Sequence, residues 1–300
     1  VSYIDKHKKM LGDNPDARYY TAVISDEHSY RIRGNLAGAT YTSFTIEMSD
    51  NAEGNRGVGS AINDSQFEVD ENGDFEIVVS REQAEGNWLE LNEGAASITT
   101  RHYFEREVSV NNDALTHVPL SIENLVQQPP RPAPNDADIA AGIRRVISFL
   151  EANVISFGAA SDLPWVSTTP NVFNPIVIDN SNAAVNYAAV DNVYAMAPFV
   201  LQPDQALVIR GRFPKCRFCN LVLFNRFLQT FDYETRRVSL NRAQAVLEED
   251  GSFKIILAAR DPGHPNWLDT EGRAYGLMFW RFQLPEEDIA ALQTEVITLT

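Results

Sequence analysis

The chain has 300 residues, 44% of them hydrophobic, and a formal net charge of −16 from 25 basic and 41 acidic side chains. That length exceeds what one small core needs and suggests two domains. The acidic balance repels phosphate backbones and anionic lipid, so nucleic acid and membranes are excluded as expected partners, and no apolar run is long enough for a membrane span.

In chain order, IDKHKKML (4–11) reads as a short helix. The chain opens on Val1 with no signal-peptide pattern, which leaves the original N-terminus and targeting undecided. ATYTSFTIEM (39–48) alternates polar and apolar positions, as a strand with one buried face does. ENGDFEIVVS (71–80) is a turn and then a β-rich run, with Asn72-Gly73 supplying the positive φ of a tight hairpin. QQPPRPAPNDAD (127–138) is a proline-rich connector that joins a sheet poorly. A helix follows, capped by Asn135 or Asp136, with Ile139, Ile143, Val146, Ile147, Leu150 and Val154 forming a stripe expected to pack on a sheet or on the junction.

Beyond it, KCRFCN (215–220) holds both cysteines, Cys216 and Cys219. CRFCNLVLF reads as a strand, on which thiols three residues apart point to opposite faces; free buried thiols are expected rather than a disulfide or zinc site. Such a chain needs no oxidising compartment, which favours the cytoplasm over the periplasm. EDGSFKIILA (249–258) repeats the turn-strand pattern, and LPEEDIAALQTEVITL (284–299) reads as one helical turn and then a strand.

The halves repeat each other. Arg33-Gly34 matches Arg210-Gly211, Asn63 and Gln66 match Asn241 and Gln244, and Gly73, Phe75 and Ile77 match Gly251, Phe253 and Ile255. Asn87-Trp88-Leu89 matches Asn266-Trp267-Leu268, and Glu93-Gly94 matches Glu271-Gly272, all at separations of 177 to 179 residues. The expected fold is therefore mainly β: two tandem antiparallel β-sandwich modules of jelly-roll type, from an internal duplication, joined by a Pro-rich linker and an α-helix. The expected boundaries are 1–128 for the N-terminal module with its leading helix, 129–158 for linker and helix, and 159–300 for the C-terminal module.

What recurs in both copies reads as structural; what differs directs attention to the second. Residues 261–265, Asp-Pro-Gly-His-Pro, stand where the first copy has Glu-Gln-Ala-Glu-Gly. Two prolines stiffen the loop around His264, a residue that exchanges protons near neutral pH, with Asp261 and Asp269 close in sequence. The segment 225–241 replaces a glycine-rich run, SDNAEGNRGVGSA, and brings Arg226, Asp232, Tyr233, Arg236 and Arg237 into one stretch able to hold an oxygen-rich ligand or to form internal ion pairs. Asp191 and Tyr194 lie just upstream of the second copy, and Trp267 anchors the loop.

DNVYAMAPF, IRGRFP, NRFLQTFDYETRRVSLNRAQ and DGSFKIILAARDPGHPNWLDTEG together resemble a bacterial domain-of-unknown-function family, number twelve-fourteen, over roughly residues 185–290. NPDARYYTAVI, SYRIRGN and EGNWLEL carry a weaker likeness in the first half. The resemblance implies β-sandwich modules of jelly-roll type, and it implies relatives that pair this domain with a second one, number twelve-fifty-four, and begin with more helical sequence. It carries over no catalytic residues.

The expected function is an enzyme acting on a polar small molecule or carbohydrate-like substrate by acid–base chemistry in a cleft of the C-terminal module, without a cofactor. His264 or Asp261 would be the general acid/base, Asp269 or Asp191 the partner carboxylate and Arg237 the orienting cation. Tyr233, Arg226, Tyr194 and Trp267 would be substrate contacts. The alternatives are a non-catalytic ligand-binding or assembly module that meets a sister subunit, and metal-dependent hydrolysis through Asp261, His264 and Asp269.

Overall fold

The computed structural model describes residues 1–50, 56–127, 132–151, 163–178 and 189–299. The first module contains β1 (Ser2–Ile4), β2 (Ala17–Val23), β3 (Tyr30–Asn35), β4 (Tyr41–Asp50), β5 (Arg56–Asn63), β6 (Asp74–Ser80), β7 (Trp88–Glu90), β8 (Ala95–Tyr103) and β9 (Leu120–Asn124). The helix α1 (Asp136–Leu150) follows, and then β10 (Asn192–Val200), β11 (Gln205–Gly211), β12 (Phe218–Phe224), β13 (Ser239–Asn241), β14 (Phe253–Ala258), β15 (Trp267–Asp269), β16 (Tyr275–Gln283) and β17 (Gln293–Thr298).

Four sheets form, two per module. The first module stacks β1-β2-β8-β4-β5 on β7-β6-β3-β9; the second stacks β10-β16-β12-β13 on β15-β14-β11-β17. With β1 set aside, the orders correspond strand for strand, and each module has one parallel pair, β6 with β7 and β14 with β15. The duplication is thus a duplication of topology.

The recurring residues hold the parallel strands in place. Asn266 donates from Nδ2 to the carbonyls of Val246 (2.7 Å) and Lys254 (2.9 Å) and accepts from the Val246 N–H (2.8 Å). Asn87 repeats this set with Glu68 and Glu76. Trp267 and Trp88 each donate from the indole to a strand carbonyl, of Ala258 (3.0 Å) and Ser80 (3.2 Å). Gly211 and Gly34 leave room for aromatic rings: a Cβ would stand 2.7 Å from Phe253 in one and 2.6 Å from Phe75 in the other. Asn266 is itself 1% exposed, and Asn266→Ala takes the partner from three partly buried backbone groups; it is expected to cost about 2 kcal/mol in urea unfolding, with Asn87→Ala, its more exposed counterpart, costing less.

Alternation sends Phe44 and Ile46 of β4 into the first core with Ile32, Phe75, Ile77 and Ile98, while Trp280, Phe253, Leu221 and Leu257 centre the second. The opposite, polar face of β4 is buried as well: Tyr41, Ser43, Thr45 and Glu47 are each 3% exposed or less. This sheet is covered on both sides, so its polar face is an interior surface.

Several local expectations are corrected. Instead of a leading helix, residues 2–4 pair as β1 and Asp5 closes a turn, its carboxylate accepting from the N–H of His7 (2.8 Å) and Lys8 (3.0 Å), which takes those donors away from a helix. Residues 284–290 form a bend rather than a helical turn because Glu286 N–H bonds the Lys215 carbonyl (2.8 Å) and Glu287 accepts from Lys215 N–H (2.7 Å); β17 follows as expected. The Asn72-Gly73 and Asp250-Gly251 turns have positive φ at glycine and close tightly as expected, Asp70 N–H on the Asp74 carbonyl (2.9 Å) and Glu248 N–H on the Ser252 carbonyl (2.8 Å), the second with an antiparallel bridge from Leu247 to Phe253. Beyond them the longer strands continue into different sheets.

Asn135 caps α1 in a reciprocal box with Asp138. Among the described residues nothing buries its apolar stripe: Ile139, Ile143, Val146, Ile147 and Leu150 are 48–58% exposed, and no residue of α1 is buried. Val154, and linker residues 128–131 and 152–158, lie outside the described residues, as do 51–55 of the glycine-rich run. Among the described residues no helix is long and apolar enough to cross a membrane.

Candidate functional site

The sequence-predicted residues fall into two neighbourhoods. At the rim of the second module, Asp261 accepts from the Gly263 N–H (2.7 Å) and the His264 Nδ1 accepts from the Asn266 N–H (3.1 Å). Both side chains therefore serve the loop's own backbone. Partial burial and the nearby Lys254 lower the His264 pKa, and Glu248 acts the other way. Asp269 is buried, paired with Arg236 (2.6 Å), and caps the Glu271 N–H (2.7 Å). Arg237 donates to the Pro265 carbonyl, so the 225–241 segment does reach the loop. No hydrogen bond joins His264 to Asp261 or Asp269, and Arg226 stands apart, exposed over the Phe227 ring.

Asp191, Tyr194 and Tyr233 lie instead at the seam between modules. Asp191, just before β10, accepts from Tyr41 Oη (2.5 Å) and Asn63 Nδ2 (3.0 Å) of the first module. Asp16, just before β2, accepts from Asn220 Nδ2 (2.9 Å) of the second and interacts with Asn241, the counterpart of Asn63. The two carboxylates thus reach across reciprocally, as a duplicated unit packed on its sibling about an approximate twofold would arrange them. Tyr103 of β8 meets Phe218 of β12 at 5.1 Å between ring centroids. Arg242 grips both oxygens of Glu105 at 2.7 Å, a forked pair joining the modules. Tyr194 is buried against Trp165 (5.3 Å) and Phe279 (5.1 Å), its hydroxyl accepting from Asn192 (2.9 Å).

One part of the seam gathers groups able to exchange protons. Asp13 is 1% exposed; its carboxylate accepts from the Thr230 N–H (3.0 Å) and hydroxyl. Burial raises its pKa to about 6, against the pull of Thr230, Lys9 and Arg281. Lys9 donates to the carbonyls of Thr230 (3.1 Å) and Phe231 (2.7 Å) and lies 4.5 Å from the centroid of the Tyr233 ring. Burial lowers its pKa. The Tyr233 hydroxyl is buried without a hydrogen-bond partner, and Arg281, donating to the Gly12 carbonyl from one Nη, leaves the other unpartnered. This places a near-neutral carboxyl, a phenol and two cations around one locus. Among the described residues no group of three or more His, Cys, Asp or Glu could hold a metal ion.

Sequence reading missed Asp13, Asp16, Lys9 and Arg281. A signal existed: Asp-x-x-Tyr occurs at Asp16/Tyr19 and again at Asp191/Tyr194, opening the corresponding strands β2 and β10 of the two seam sheets.

Fold and seam define a class, a protein of two duplicated β-sandwiches clasped through polar faces. The chain belongs to the family described as Protein of unknown function (DUF1214), whose pattern matches residues 5–106 and 200–287. An uncharacterised protein from Burkholderia cenocepacia has a crystal structure similar to it, with a TM-score of 0.84 and 28% identity over 99% of this chain and 81% of that one. The VPA0106 protein from Vibrio parahaemolyticus shares the fold alone, with a TM-score of 0.58 and 10% identity over 98% of this chain and 92% of that one. No curated protein matches the chain.

Proposed function

We propose that the protein acts on a small polar molecule by acid–base chemistry at the seam between its modules. Asp13 exchanges the proton, Tyr233 donates from its phenol, and Lys9 and Arg281 hold anionic oxygens. The observation that carries this reading is Asp13 itself: a buried carboxyl with a pKa raised to about 6, beside a buried phenol that has no hydrogen-bond partner. A thermal-shift screen of sugars, sugar phosphates and carboxylic acids tests it. A ligand found on the wild type should bind Asp13→Asn and Tyr233→Phe at least about tenfold more weakly, the value of one hydrogen bond to a charged or buried group. Equal binding to both variants would remove the seam as the site. If His264→Ala alone abolished binding, the chemistry would belong to the rim, with Asp261 or His264 as acid/base, Asp269 as partner carboxylate and Arg237 as orienting cation.

The exposed stripe of α1 supports a second reading, a non-catalytic assembly module. Ile139, Ile143, Val146 and Leu150 follow the 4-3-4 spacing of a helix–helix seam, whose natural complement is the same helix of a second copy. Light scattering decides it: a dimer that Ile143→Glu dissociates supports the reading, and a wild-type monomer ends it.

A further inference from the structure

Cys216 and Cys219 do not project to opposite faces of a strand. β12 begins at Phe218, so Cys216 lies in the turn before it, where its Sγ donates to the Phe218 carbonyl (3.4 Å). Both side chains enter the same hydrophobic core and interact directly; both thiols are free, with Cys216 8% exposed and Cys219 fully buried. Arg242 frames the pair, donating to the Cys216 carbonyl (3.0 Å) and standing 3.6 Å from its Sγ while it grips Glu105 of the other module. A guanidinium beside one of two adjacent thiols is the arrangement that turns that thiol into a nucleophile and leaves the second to resolve it.

We propose that Cys216 and Cys219 form a peroxide-reactive dithiol that closes to an intramolecular disulfide. The Cys216 thiolate attacks one oxygen of hydrogen peroxide, the O–O bond breaks, and Cys216 becomes a sulfenic acid as hydroxide leaves. The Cys219 sulfur then displaces the sulfenic oxygen, its proton passing to the departing group. Two thiols lose two electrons and two protons, and one peroxide becomes two waters. The acidities follow these roles: the hydrogen bond with Cys219, and then Arg242, hold Cys216 below the ordinary thiol range, while burial pushes Cys219 well above it.

The test uses the full-length wild type treated with hydrogen peroxide, then denatured and analysed by intact mass and thiol titration. The expected result is a loss of two hydrogens and of both titratable thiols, reversed by dithiothreitol, with no covalent dimer on a non-reducing gel. Cys219→Ser should stop at a sulfenic acid that dimedone traps, and Cys216→Ser should keep its remaining thiol. Retention of both wild-type thiols, irreversible oxygen addition at either cysteine, or a disulfide-linked dimer would each overturn the proposal.

Discussion

Arg242→Met is expected to lower the unfolding free energy by about 3–5 kcal/mol, because it removes one partner of a largely buried ion pair and strands the other. The Glu105 side chain is 14% exposed and that of Arg242 26%, so water screens neither as it would a surface pair. The same guanidinium also satisfies the carbonyls of Cys216 (3.0 Å) and Arg217 (3.1 Å), which its loss leaves open. Urea unfolding followed by tryptophan fluorescence measures the change. Arg242→Met with Glu105→Met should recover part of the loss, since no isolated carboxylate then remains inside the seam. A single-variant loss below about 1 kcal/mol would mean that the pair behaves as an exposed one and does not hold the modules together.

Asp13→Asn should stabilise the protein near pH 7 and leave it nearly unchanged near pH 4. The folded-state pKa is raised from 3.8 to about 6, so between those values the native state binds more protons than the unfolded chain. Stability contributed by this group is therefore present at low pH, falls as pH rises through that window and is flat above it. The displacement corresponds to about 3 kcal/mol, the expected gap between variant and wild type at neutral pH. Asparagine keeps one oxygen to accept from the Thr230 N–H, while its amide nitrogen must donate to the Thr230 hydroxyl oxygen in place of accepting from it. That change is the same at every pH, so the pH-dependent part of the gap reports the titration. Paired urea curves across this range are the measurement, and a gap independent of pH would show that Asp13 does not titrate there. If Asp13 is also the catalytic acid, the variant should be more stable and inactive together, the usual cost of a strained site.

Turns, strands and the duplication were legible because they depend on neighbours in sequence. Gly73 and Gly251 share a backbone conformation, and Asn87 and Asn266 share a hydrogen-bond set, so identity in sequence translated directly into identity in structure. The seam was not legible in the same way. Ser43, Thr45, Glu47 and Arg101 alternate with core residues exactly as a solvated face would, yet all are buried. Likewise, the hydrophobic periodicity of α1 identified an apolar face correctly but could not say whether anything covers it.

The amino-acid sequence alone determined two copies of one mainly β unit, the turns within them and the capped helix between them, since each follows from short-range propensity and patterning. Tertiary structure decided which polar faces became interior, which carboxylates crossed from one module to the other, and that Cys216 and Cys219 lie together. Those outcomes depend on which distant surface arrives opposite each residue, and polarity records a residue's preference for water without recording whether a complementary partner will replace it.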